Sequence, residues 1–296
     1  MAMLSKPKVI LDTTAINRLE DSGTDSEPLM CGLETGYLIC LTAMSADEII
    51  SITKNPQRRE ALLNRFGRLL SSARCIWPPN EVVRLHVTAY QNDPSHYDWH
   101  RVDVRAREYE GAIPRRAYPD DISLAQRKVQ FELEAQWAKS WKSLRPKLAE
   151  IIVKDPKQHL ASFSDAAEAS VNPGGVLWGF GKGLYDHATG NKDAGITDDE
   201  VKAFIRVCPP FRAACYALVM AWYNFSLSPT HVKIPKAGRN DLMMATYLPY
   251  CDRFLTQDFA QHRDLSAIAL VAGLQTEVTL FEQFSQSFNP ISLAND

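Results

Sequence analysis

The chain has 296 residues, 45% of them hydrophobic and 23% charged, with a formal net charge of −2. That is the profile of a globular protein long enough for one large domain or two ordinary ones. The charge gives no support to gripping long nucleic acid by bulk attraction, so any such contact has to be local. The six cysteines form no C-x-x-C pair and no zinc-finger spacing with histidine, which reads as small buried thiols in a reducing compartment.

The stretch "KVILDTTAIN" (8–17) opens with a buried strand that runs straight into Asp12, and a short helix is expected over 14–22. Only three apolar residues separate Lys8 from Asp12, so no signal peptide is read there. "GYLICLTA" (36–43) is a second apolar strand. "SADEIISITK" starts a helix in which Ser45 is a plausible N-cap and Glu48, three places on, completes a capping box. An amphipathic helix follows over 55–73, then a short strand, a proline break and a further helix up to about 91.

From 92 the texture turns polar, charged and aromatic. A long helix is expected over 121–154, with Pro146 breaking or kinking it. The glycine-rich stretch 171–196 reads as loop. Thr197 with Glu200 forms a capping box that opens the next helix. The apolar stretch 213–228 falls short of a membrane span and contains Asn224 and Ser226, so it reads as a buried helix of a cytoplasmic protein with no membrane partner. At 232 the α/β texture returns, with a helix near Asn240, a strand ending near Thr256, a helix, a short strand and a tail. Alternating strands and helices at both ends favour a parallel sheet covered by helices. The expected division is one split α/β domain, 1–91 and 232–296, interrupted by a mainly helical insertion, 92–231.

Four acids fall at equivalent places in this frame. Asp12 ends the first strand, Glu48 lies in the helix after the second, Asp241 opens the helix in "GRNDLMMA", and Asp258 follows the strand "FLTQ". In an open parallel sheet the carboxyl ends of the strands share one edge, and that edge hosts ligands. Crowded carboxylates repel one another unless a cation intervenes, and Mg2+ and Mn2+ prefer oxygen ligands. Each acid also has a plain structural reading. Glu48 and Asp241 could only cap helices, Asp258 could only make a turn, with Asp264 as its rival, and Asp47 reads as solvent-facing.

"VILDTTAIN", "LTAMSADEI", "RNDLMMA" and "FLTQDF", in that order, resemble the PIN domain (PilT N-terminus) family of metal-dependent nucleases. The resemblance covers roughly 8–91 and 232–290. It implies a three-layer α/β/α sandwich with a parallel sheet, and a pocket in which Asp12, Glu48, Asp241 and Asp258 hold Mg2+ or Mn2+ and act in catalysis. It implies supporting roles beside the metal for Thr14 and Thr256, RNA as substrate, and a toxin-like or defence role with an antitoxin or other protein partner. One or two metal ions, a homo-oligomer, a DNA substrate and a noncatalytic RNA- or protein-binding module stay open.

Other residues carry weaker signals. Lys236 and Arg239, just before Asp241, are the preferred phosphate contacts, ahead of Arg115 and Arg116. Phe131, Trp137 and Trp141 could stack on bases but read first as core. "GFGKG" (179–183) has neither dinucleotide nor Walker spacing.

Overall fold

The computed structural model describes residues 6–23, 26–113, 120–154, 162–190, 196–226 and 237–287. Five strands form one all-parallel sheet: β1 (Lys8–Leu11), β2 (Leu38–Thr42), β3 (Arg74–Ile76), β4 (Arg253–Thr256) and β5 (Glu277–Leu280), in the order β3-β2-β1-β4-β5. β1 is central. It pairs with β2 through Val9 and Ile39, and with β4 through Ile10 and Phe254. The strand order therefore reverses beside β1, which is where an open parallel sheet leaves a crevice.

Side chains alternate across the sheet as strand geometry requires. Val9, Leu11, Ile39, Leu41, Cys75 and Leu255 belong to one core cluster, whereas Ile10, Cys40, Ile76 and Phe254 belong to the other. The first cluster is completed by helices α1 (Thr13–Asp21), α2 (Ser26–Gly36), α3 (Ala43–Ile50), α4 (Pro56–Leu70) and the C-terminal Phe281–Gln286. Pro56 sits in the first turn of α4, where its missing N–H costs nothing, and the Asn55 side chain caps that helix. The opposite cluster takes in α5 (Pro79–Asn92) and a run of helices from the middle of the chain. The arrangement is an α/β fold compatible with three layers.

The described residues of the middle of the chain are mainly helical: α6 (Arg107–Ala112), α7 (Asp120–Lys154), α8 (Phe163–Ser170), α9 (Val176–Thr189), α10 (Asp198–Val207) and α11 (Pro209–Ser226). Leu177, Phe204, Ile205, Phe211, Val219 and Met220 of this segment share a continuous core with Ile10 and Phe254 of the sheet. A short α12 (Arg239–Met243) leads through a 3-10 turn, Met244–Tyr250, into β4, and α13 (Phe259–Val271) joins β4 to β5. No single helix among the described residues is long and apolar enough to cross a membrane.

Several local expectations are corrected. α7 runs unbroken from Asp120 to Lys154 through position 146. The glycine-rich stretch contains α9, because Gly181 is a contact surface: a Cβ there would lie 2.7 Å from Val201 Cγ1 on α10. The cap of α3 is Thr42, whose hydroxyl accepts from Ser45 N at 3.0 Å, not Ser45. Phe131 is 74% exposed, while Trp141 is buried. Cys31 is exposed and the other five cysteines are buried thiols. The capping box of Thr197 and Glu200 forms as expected.

Candidate functional site

Asp12 extends the sheet by one rung, its N–H donating to Leu255 O at 3.0 Å, and then caps α1 by accepting from Ala15 N at 2.8 Å. A strand end and a helix start are thus one residue, and its side chain is only 2% exposed. Two threonines hold the carboxylate: Thr14 Oγ1 lies 2.9 Å from Asp12 Oδ1, and Thr256 Oγ1 lies 3.0 Å from Asp12 Oδ2. Thr256 also reaches Gln261 Oε1. A hydroxyl has one proton, so it serves one of those two acceptors at a time. The same threonines accept the backbone N–H groups of Gln257, at 2.7 Å, and Asp258, at 3.0 Å. The turn after β4 is thereby tied to Asp12.

Glu48 does not complete a capping box. Its Oε2 accepts from the Thr13 hydroxyl and its Oε1 from Asn240 Nδ2 at 3.2 Å. Three segments far apart in sequence meet there: the start of α1, α3 and α12. Asp241 turns back to accept Gly238 N at 2.8 Å, a cap within its own short helix. Asp258 caps α13 by accepting Gln261 N at 2.8 Å. Asp264, its rival, is 2% exposed and is already engaged by Asn224 Nδ2 at 3.0 Å and Arg263 Nε at 2.7 Å.

The acids act on one another. Burial pushes Asp12 from 3.8 up to about 7, helped by the charge of Glu48 and opposed by its hydrogen bonds. Burial likewise pushes Glu48 up to about 7, with Asp241 and Glu134 adding to the rise. Asp241 is raised by burial and by the charges of Asp258, Glu134 and Asp264. The four sequence-predicted acids and Asp264 therefore share one electrostatic neighbourhood at the carboxyl edge of the sheet. Asp47, expected to face solvent, is half-buried, is pushed up to about 6 by burial, and accepts from Tyr109 OH at 3.1 Å.

The donor set, carboxylate oxygens, is of the chemical kind that a hard divalent cation takes. It does not fit as a preformed cage. Among the described residues no group of three or more His, Cys, Asp or Glu side chains is arranged to hold a metal ion. The reason is local: Glu48, Asp241 and Asp258 each give an oxygen to a hydroxyl, an amide or a backbone cap.

Sequence reasoning missed the part played by α7. Gln130 Oε1 accepts from Asn240 Nδ2 at 2.9 Å, and Glu134 Oε1 lies 3.4 Å from Asn240 N. Gln130 and Glu134 are four apart and so share a helix face. That spacing was visible, but nothing in the sequence places α7 against α12. Arg239 is half-buried, and its Nη1 donates to Asn240 Oδ1 at 3.1 Å. Burial lowers its pKa, which the charge of Glu134 partly offsets. Lys236, Arg115 and Arg116 lie outside the described residues. Comparison with family models, curated proteins and solved structures finds no significant match.

Proposed function

We propose that this chain is a PIN-like, divalent-metal-dependent endoribonuclease whose pocket is lined by Asp12, Glu48, Asp241 and Asp258. The observation that carries the reading is that Asp12, Glu48 and Asp241, from distant parts of the sequence, are each raised first by burial, with the charge of Glu48 adding at Asp12 and that of Asp241 adding at Glu48. Carboxyls perturbed by burial and by charged neighbours are candidates for a functional site. Mg2+ or Mn2+ bound there would activate water and stabilise charge on a phosphodiester.

The chain's own groups prepare the site. Thr14 and Thr256 orient Asp12. Thr13 and Asn240 orient Glu48. Asp12 and Asp258 keep their backbone caps, so both can turn only a limited part of the carboxylate elsewhere. Arg239, beside Asn240, supplies positive charge for a substrate phosphate. In this reading the protein works in the cytoplasm on RNA, in a toxin-like or defence role with an antitoxin or other protein partner.

One observation favours a noncatalytic RNA- or protein-binding module: the carboxylates are tied back and do not point to a common centre. The same experiment decides between the readings. Labelled RNA and DNA are incubated with wild type and with Asp12→Asn, with Mn2+ or Mg2+ and with a chelator. The nuclease reading expects RNA cleavage by wild type only, dependent on the metal, and a loss of at least about 100-fold in Asp12→Asn with an unchanged circular dichroism spectrum. Equal cleavage by both proteins removes the mechanism. Preferential DNA cleavage changes the substrate, and no cleavage of either favours the module.

A further inference from the structure

Next to the acids lies a cavity of about 300 Å³ between α3, the start of α5, α7 and α12. Asn240 lines it and is also bonded to Glu48, so cavity and acid pocket share a wall. Asp47 and His187 line it, and the rest of its wall is mainly apolar or amide. Met44, Met243 and Leu133 offer apolar, adaptable surface. Gln126 offers an amide with both donor and acceptor, and Gln130, whose oxygen accepts from Asn240, offers its NH2 group. Arg239 stands at the same wall and forms no ion pair with any described residue.

A smaller space of about 120 Å³ continues from it, sharing Arg239 and Met243 and reaching Trp137. The indole N–H of Trp137 is buried and has no hydrogen-bond partner among the described residues. A buried donor without an acceptor is costly unless something else supplies one.

We propose that this cavity seats one nucleobase of a bound RNA strand, with Arg239 taking the adjoining phosphate. The size stands at the lower end of the roughly 300–1,000 Å³ of small-molecule pockets, which suits a single nucleotide unit and not a folded helix. Flat apolar rings with hydrogen-bonding edges match soft apolar faces joined to amides, and single-stranded RNA is recognised by splaying bases into such places. The pocket would then set which residue lies next to the bond that is cut. Its location beside the acids gives it meaning only under the nuclease reading, but its occupancy is measurable without catalysis.

The test is binding of the four 5′-mononucleotides to the full chain, in chelator, by ligand-observed NMR titration, for wild type, Val129→Trp and Gln126→Ala. Val129 lines the cavity from α7 and is 47% exposed, so a larger side chain there fills the space without entering the core. The expected result is a preference of at least about tenfold for one base over the weakest, within the range that paired amide contacts give. Val129→Trp abolishes it and Gln126→Ala reduces it, both with unchanged thermal unfolding. Absence of saturable binding, equal binding of all four, or unaltered binding in Val129→Trp overturns the proposal. Base-selective binding without RNA cleavage keeps the pocket and removes the nuclease. Cleavage without base selection does the reverse.

Discussion

Asp12 carries opposing demands, and they set a pH signature. It caps a helix and is held by two hydroxyls, all of which favour the carboxylate, yet burial wins and raises it to about 7. Between pH about 4 and about 7 the folded chain therefore keeps a proton that the unfolded chain has released. The folded state binds more protons there, so stability falls as pH rises through that window and levels off above it. The share of this one group is on the order of 4 kcal/mol at one unit per ~1.4 kcal/mol. Asn also serves well as an N-cap. Metal-free Asp12→Asn should thus melt higher than wild type at pH 8, by at least ~2 °C, and the gap should shrink toward pH 5. Melting curves in chelator at several pH values check this, and a gap independent of pH would count against it. A second expectation concerns ligand linkage: Mn2+ at pH 8 raises the wild-type Tm and leaves Asp12→Asn nearly unmoved.

How the residues could be read beforehand differs from case to case. Asp12, Thr14 and Thr256 were legible because each ends a strand or begins a helix, and a parallel sheet brings such places together. Glu48 was legible as an acid of that edge, but its local reading as a capping partner was wrong, since Thr42 already caps α3. Glu134, Gln130 and the cavity that Gln130 lines were not legible, because their position depends on how α7 lies against α12.

Glycines show the same limit at the level of elements. In α9, Gly179 and Gly183 face open space, whereas Gly181 meets Val201 and Ile205 of α10. Composition alone marks all three as loop formers. Their spacing in a helix puts one against a neighbour and leaves the others free. Gly181→Ala should destabilise by about 1–2 kcal/mol net, since overpacking costs about 1–3 and helix propensity returns up to about 1. Gly179→Ala or Gly183→Ala should stabilise by about 0.5–1 kcal/mol. Urea unfolding of the three variants checks the contrast. The same change of sign in all three would mean that contact with α10 does not decide it.

At the scale of the whole molecule, the described residues form two cores, one on each face of the sheet, and the middle of the chain supplies much of one. Leu177, Phe204, Ile205, Phe211, Val219 and Met220 are each no more than 4% exposed. At about 1.5–3 kcal/mol for each large apolar side chain, their burial rivals the roughly 5–15 kcal/mol by which a domain is stable at all. A variant lacking residues 92–231 should therefore fail to unfold cooperatively on heating. A sharp melt near the wild-type temperature would show that the sheet stands without these helices.

The bond from Thr256 to Asp12 joins groups 244 positions apart, and the central strand waits just as long for its second neighbour. At roughly 5–20 residues per second, on the order of 12–50 s of synthesis separate the two. Until then half of β1 is an open edge for chaperones to guard. Asp241 and Asp258 are made in that same interval, so the carboxyl edge beside Asp12 gains them only when β1 gains β4.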